Sequence, residues 1–150
     1  SQQFKHIVAL DNSNDMLNKA KATALRNGLK NISFYLGDTQ DYKKLVVNKD
    51  AQLVDAVIMN MVLHHTPTPS QIFKDAFTFL KENGVFIVCD LSRHHQEWAK
   101  ENCGDLWLGF EAKELTNWAN LAGFIEDKSV YIGLRNGFQI QLRKFIKPSH

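Results

Sequence analysis

Four short apolar runs divide the first 90 residues, and each run ends in an acidic or amide group. The runs cover residues 6–10, 32–36, 54–59 and 85–89, and the polar groups that follow them are Asp11, Asp38, Asn60 and Asp90. Short apolar runs of this kind are typical of strands that are buried on both faces of a parallel sheet. In such sheets ligands bind outside the carboxyl ends of the strands. The sequence therefore predicts an α/β sheet with a ligand site at that edge.

Helical patterns separate these runs. A first helix should begin after the capping residue Ser13 and end before Gly28. A second helix should end at Gly84, and its apolar residues at helical spacing are Phe73, Ala76, Phe77 and Leu80. A third helix should stop before Gly123, and its apolar residues are Leu115, Trp118, Ala119 and Ala122. Alternating strands and helices predict a doubly wound, Rossmann-like sheet. Two final strands, 128–132 and 138–146, are joined by a short loop and should be antiparallel.

Composition excludes several classes of protein. The 150 residues are 44% hydrophobic, which suits one domain with its own core. A net charge of +2 gives no reason to expect a nucleic acid or a membrane surface as partner. No apolar run approaches the roughly 20 residues of a spanning helix. Cys89 and Cys103 are the only cysteines, so a disulfide framework is excluded and a cytoplasmic location is favoured.

The polar groups at the strand ends have functional and structural interpretations. Asp11 could accept both hydroxyls of a ribose, because a carboxylate has two acceptor oxygens in one plane, or it could cap a helix. Asp38 could accept from an exocyclic amine such as that of adenine, or hold a Gly-Asp turn. Asn60 could bind a ligand or close a strand. His64 and His65 could be a base and a binding group, or simply loop residues.

Taken together, these segments resemble the class I S-adenosylmethionine-dependent methyltransferases. The resemblance in order and spacing rests on four segments, VALDNSNDML at 8–17, LGD at 36–38, DAVIMNMVLHH at 55–65 and LKENGV at 80–85. Two further segments, DLSRHHQEW at 90–98 and GDLWLGF at 104–110, look like a bacterial small-molecule subgroup, some members of which are fused to winged-helix repressors. The resemblance implies methyl transfer from S-adenosylmethionine to a small-molecule acceptor by in-line displacement.

The resemblance also implies roles for residues around the adenosine part of the cofactor. Asp11 matches the acid that holds the ribose hydroxyls, and Asn12 and Met16 match residues close to the adenosine. Asp38 matches the acid near the adenine amine, and Thr39 lies beside it.

Other matching residues belong to the methyl-transfer side. Asn60 begins the segment that passes under the methionine part of the cofactor, and His64 and His65 match a pair at the mouth of the reaction site. A base there would help if the acceptor is a hydroxyl, thiol or protonated amine, and His65 is the first candidate, with Asp90 and His94 as others. Trp98 is expected to pack in a helical lid and Trp118 in the core, while the walls of an apolar acceptor pocket are predicted to be Trp107 and Phe110.

Three alternatives are open at this point. A nicotinamide dehydrogenase would explain Asp11 but not Gly37 and Asp38 or the antiparallel end of the sheet. A metal site could draw on cysteines and on the histidine pairs at 64–65 and 94–95, but these lack the usual ligand spacing, so no metal is predicted. The third alternative is a methyltransferase-like module that binds a partner and does not catalyse.

The chain departs from the family at its start. The glycine-rich loop of such folds lies about 20 residues before the ribose acid, yet ten residues precede Asp11 and the first glycine is Gly28. The family's strand order, 3-2-1-4-5-7-6, then lacks its central strand and the helix that follows it. Residues 1–150 are therefore predicted to be one N-terminally incomplete domain, in which the strand ending at Asp11 lacks its family neighbour on one side. An unpaired edge there would be costly unless something fills it. The favoured explanation is a fragment of a longer protein that binds the cofactor better; the others are a strand supplied by a second chain, or direct pairing across the gap.

Overall fold

A computed structural model of the chain describes residues 6–11, 13–28, 30–37, 39, 53–60, 63, 66–91, 110–133 and 139–149. The strands and helices alternate along most of this sequence, as the apolar runs predict. In chain order they are β1 Ile7–Asp11, α1 Asn14–Arg26, β2 Ile32–Leu36, β3 Val54–Asn60, α2 Pro69–Phe79, β4 Leu80–Leu91, α3 Ala112–Ala122, β5 Ile125–Gly133 and β6 Gln139–Ile146.

The strands of the described residues form a sheet of six in the order β2-β1-β3-β4-β6-β5. The first four of these neighbours run parallel to one another. β6 is antiparallel to both β4 and β5. The predicted mixed sheet, parallel with an antiparallel end at its C-terminal strands, is confirmed.

β1 is paired on both edges, with β2 on one side and with β3 on the other. The pairing with β3 runs in register from Ile7 opposite Ala56 to Asp11 opposite Asn60. Of the three explanations given above, the described strands have direct pairing across the gap. That residues 1–150 are a fragment of a longer protein stays a prediction. β3 supplies the backbone partners that β1 would otherwise lack. In this part of the chain no place between β1 and β3 is left for a strand from a second chain.

The main core lies on one face of the sheet, under α2 and α3. Its centre is the ring of Phe73 on α2, which packs edge to face against Phe86 of β4 and Phe145 of β6 at centroid distances of 5.3 and 5.6 Å. α1 packs against β1 and β2. A smaller apolar cluster of Ile7, Ala56 and Val85 occupies the alternate positions of the same strands.

The helix caps follow the sequence at both ends of α1. The Ser13 hydroxyl accepts from the Met16 backbone N–H over 3.3 Å, and Gly28 follows the helix with a φ of 70°. Gly123 ends α3 in the same way, with a φ of 106°. None of the helices in the described residues is long and apolar enough to cross a membrane.

The end of α2 differs from the prediction. The helix ends at Phe79 rather than at Gly84, and Leu80 is already extended, with φ −90° and ψ 144°. The Lys147 ammonium donates to the carbonyls of Phe77 and Leu80 over 3.0 and 2.9 Å. These bonds satisfy carbonyls that another helical turn would have used.

Candidate functional site

The Asp11 carboxylate lies at the carboxyl end of β1, and each of its oxygens accepts one hydrogen bond from the protein. The Ser13 backbone N–H donates to Oδ1 over 3.0 Å. The Asn60 side-chain amide donates to Oδ2 over 2.8 Å. A carboxylate has about four acceptor positions, two on each oxygen. As far as the described residues go, one position per oxygen is therefore left for a ligand, although Asp11 is only 6% exposed.

Beside this carboxylate, a cavity of about 440 Å³ lies between α1 and strands β1 to β3. Asp11 and Asn60 give it one polar end, and Lys19 and Thr23 of α1 also border it. The rest of its lining is apolar and consists of Ala9, Leu10, Met16, Leu17, Ala20, Ala24, Ile32, Phe34 and Ile58. An apolar cavity with a few convergent polar groups is the usual form of a small-molecule site.

Comparison with known families decides the class. Residues 2–124 match the family described as a methyltransferase domain. The chain belongs to this family. Its class is the class I S-adenosylmethionine-dependent methyltransferases, and the cofactor of that class is S-adenosylmethionine.

A curated relative and two solved structures are similar to this methyltransferase domain. The arsenite methyltransferase of Halobacterium salinarum is 27% identical over 86 residues, which are 57% of this chain and 21% of that protein. The chain thus spans about a fifth of the length of that relative. A candidate methyltransferase from Bacillus halodurans C-125 has a TM-score of 0.67 at 15% identity, with 97% of this chain and 84% of that chain covered. The N-methyltransferase NodS from Bradyrhizobium japonicum WM9, in complex with S-adenosyl-L-homocysteine, has a TM-score of 0.62 at 15% identity, with 97% and 68% covered. At these identities the two solved structures show the fold.

The described residues of the methyltransferase domain fit the ribose part of such a cofactor. Asp11 retains two acceptor positions in one plane, which is what the two hydroxyls of a ribose need. Met16, in the first turn of α1, is 46% exposed and borders the cavity next to Asp11. The structure brings together three of the predicted cofactor residues, which are Asp11, Met16 and Asn60.

Thr39 is not part of this group. Its side chain is fully buried, and its hydroxyl donates to Oδ2 of Asp75 over 3.1 Å. The Gln71 amide of the same helix donates to Oδ1 of Asp75 over 3.0 Å. The Thr39 hydroxyl thus fastens the segment after β2 to α2 instead of being presented to a ligand.

Cys89 of β4 is the next residue across the sheet from Asn60, which it faces in the pairing of β3 with β4. Burial raises the pKa of the Cys89 thiol, and the nearby carboxylates of Asp90 and Asp11 raise it further. The thiol therefore stays protonated at neutral pH and is a poor nucleophile or metal ligand. Among the described residues no three His, Cys, Asp or Glu side chains cluster as a metal site.

Asp90 is a candidate base that the structure places inside the protein, and its catalytic role stays a prediction. It is fully buried, and its Oδ2 accepts from the Leu63 backbone N–H over 2.8 Å. The carboxylate anchors the segment that leads from β3 to α2.

Phe110 was predicted to form a wall of an acceptor pocket, but it belongs to the core. It is fully buried and packs edge to face on Trp118 at a centroid distance of 5.6 Å. The prediction that Trp118 packs against the core is confirmed, since its ring also lies 6.2 Å from that of Phe73.

Several predicted residues lie outside the described residues, and their roles stay predictions. For the cofactor these are Asn12 and Asp38, and for catalysis they are His64 and His65. Also outside the described residues are the other residues considered above for the acceptor pocket, for the base or for a metal site, namely His94, His95, Trp98, Cys103 and Trp107.

A buried cluster around Arg143 of β6 was missed by the sequence reasoning. Arg143 is 1% exposed, and its guanidinium bonds Glu126, Gln141 and the start of α3. Alternation along β6 places Gln141 and Arg143 on the same face as the core residue Phe145. The sequence carries no signal for this, because the opposite face of β6 carries three apolar residues and this face only one, so the pattern favours burial of the wrong face.

Proposed function

We propose that the chain takes part in S-adenosylmethionine-dependent methyl transfer to a small-molecule acceptor. The observation that carries this proposal is the Asp11 carboxylate, held at the carboxyl edge of the sheet with one acceptor position open on each oxygen. The adjoining apolar cavity and the family support it. The cysteine content supports a cytoplasmic setting.

The chain's own residues have a limited set of tasks in this proposal. S-adenosylmethionine, when bound, supplies a methyl group on a sulfonium, which is already a strong electrophile. The protein mainly has to orient the reactants and exclude water. Asp11 would accept from both ribose hydroxyls, while Met16 and the neighbouring Leu17 offer apolar surface to the adenosine.

The base for the acceptor is proposed to be His65, with His64 as the second candidate. An imidazole titrates near neutral pH and could take the proton that a hydroxyl, thiol or ammonium acceptor loses. Asp90, the candidate base among the described residues, is less suitable because it is fully buried.

Titration calorimetry with S-adenosylhomocysteine tests the proposal. Asp11→Ala removes two charge-assisted hydrogen bonds and should weaken binding by on the order of 2–4 kcal/mol. Asp15→Ala is the matched control, since Asp15 is an exposed carboxylate in the first turn of α1. It should change the affinity less than threefold. A loss below tenfold for Asp11→Ala would mean that Asp11 is only a capping residue.

A non-catalytic, methyltransferase-like module is the second candidate. The direct pairing of β1 with β3 favours it, because the pairing brings the Asn60 amide against the carboxylate that would hold the ribose. This candidate predicts that neither S-adenosylmethionine nor S-adenosylhomocysteine binds the folded chain. The titration above therefore separates the two functions.

A further inference from the structure

We propose that Asn60 is a positioning residue that fixes the Asp11 carboxylate in the orientation needed to accept both hydroxyls of a vicinal diol. This inference rests on the proposed function. It goes beyond it by giving Asn60 a role through Asp11, where the sequence suggested contact with the methionine part of the cofactor.

The register of the sheet fixes the two side chains relative to each other. Asp11 and Asn60 are direct partners in the parallel pair of β1 and β3, so both project from the same face of the sheet. β3 is held on its other side by β4, with Asn60 opposite Cys89. Because these strands are paired on both sides, the backbone under the carboxylate and the amide has little freedom to shift.

Two donors from different elements hold the carboxylate, one on each oxygen. The Ser13 N–H, at the start of α1, binds Oδ1, and the Asn60 amide, at the end of β3, binds Oδ2. Turning the carboxylate out of this plane would break one of the bonds. The amide thus completes a restraint that the Ser13 N–H alone could not impose.

The chemistry of an amide suits this task. Asn60 is uncharged, so it orients the carboxylate and leaves its negative charge for the ligand, whereas a lysine or arginine would neutralise it. Asp11 is 6% exposed, so few water molecules compete for the two open acceptor positions. The arrangement is preorganised for a ligand with two adjacent hydroxyls, and it should discriminate against a ligand with only one.

Adenosine, 2′-deoxyadenosine and 3′-deoxyadenosine are the probes, with their dissociation constants measured by ligand-observed NMR titration. For the unmodified chain we expect each deoxy analogue to bind about tenfold more weakly than adenosine, since a hydrogen bond to a charged group is lost. In Asn60→Ala the carboxylate is present but free to turn. The preference for adenosine should then fall to less than about threefold, together with a weaker affinity for adenosine.

A matched control is available in α2. The Gln71 amide donates to Asp75 just as Asn60 does to Asp11, over 3.0 Å. No residue of α2 lines the cavity beside Asp11. Gln71→Ala therefore removes an equivalent bond away from this cavity and should leave the preference for adenosine unchanged. Asn60→Ser is the second amide-free variant and is used if Asn60→Ala does not fold, as judged by its thermal unfolding.

The outcomes separate this inference from the proposed function. If Asp11→Ala abolishes adenosine binding while both Asn60 variants keep the tenfold preference, Asn60 is not a positioning residue, although the proposed function stands. Tighter binding by Asn60→Ala would mean that the amide competes with the ligand, and it would also overturn the inference. If the unmodified chain binds adenosine and both analogues equally, or binds none of them, the use of Asp11 for the ribose fails as well.

Discussion

Replacement of Arg143 by methionine should be among the most destabilising single substitutions in the described structure. All five N–H groups of the guanidinium have acceptors. Nε and one Nη2 hydrogen go to Glu126 Oε1, and the remaining three go to the Thr116 hydroxyl, the Ala112 carbonyl and Gln141 Oε1. The side chain therefore joins β5 and β6 to the first turns of α3.

The magnitude follows from what the substitution leaves behind. Methionine fills most of the aliphatic volume, so the loss is mainly polar. Gln141 is fully buried and would keep an unsatisfied amide oxygen, whereas the Glu126 side chain is 31% exposed and can be partly rehydrated. Breaking a buried ion pair costs about 3–5 kcal/mol. We expect a decrease of about 3 kcal/mol in the free energy of unfolding. This value is at the lower end of that range because the Glu126 carboxylate is partly accessible to water.

Urea denaturation followed by circular dichroism measures this free energy. Lys144→Met is the control, because Lys144 is the next residue of β6 and pairs with Asp127 over 3.1 Å at the surface, where both side chains are more than 30% exposed. It should cost less than about 1 kcal/mol. If the two variants lose the same stability within about 1 kcal/mol, the reasoning about the buried cluster is refuted.

Two further predictions concern the frame of the site. A Cβ at Gly84 would lie 2.8 Å from the Lys81 carbonyl oxygen, so Gly84→Ala should lower the free energy of unfolding by about 3 kcal/mol. At Gly28 a Cβ would meet nothing within 4 Å, but the φ of 70° disfavours alanine, so Gly28→Ala should cost about 1 kcal/mol. Equal losses of stability for the two variants in urea denaturation would contradict this prediction. The raised pKa of the Cys89 thiol means that its thiolate forms at higher pH in the folded protein. In a Cys103→Ser background, the midpoint of iodoacetamide reactivity against pH should therefore fall when the protein is unfolded in urea, and an unchanged midpoint would argue against the shift.

Local sequence determined the elements of this fold well, because the parallel strands contain short, mainly apolar runs that stop at a polar group. This held even for β2, which is only partly buried, and for β3, whose run Asp55 interrupts. It did not determine the end of α2. The carbonyls of Phe77 and Leu80 are satisfied by Lys147, which lies about 70 residues further along the chain. The apolar spacing alone therefore placed the end of the helix too late.

The candidate site shows the same division between local and distant information. Asp11 could be identified because it ends an apolar run at the edge where ligands bind. Its contact with Asn60 could not, because these residues are 49 positions apart and meet only if β1 and β3 are neighbours. The family's strand order would have separated them. The structure placed them opposite each other instead.

The register of β1 against β3 therefore determines what Asp11 can do. Because side chains alternate between the two faces, a slip of one residue would move Asn60 to the face that holds Val57 and Met59, opposite the carboxylate's own. Asp11 by itself is an acid after a strand, which a dehydrogenase or a helix cap would also explain. Held between the Ser13 N–H and the Asn60 amide, it has a fixed orientation, which the proposal above assigns to binding two adjacent hydroxyls. The same contact favours the non-catalytic alternative if the amide excludes the ligand, so the sign of the affinity change in Asn60→Ala decides between orientation and obstruction.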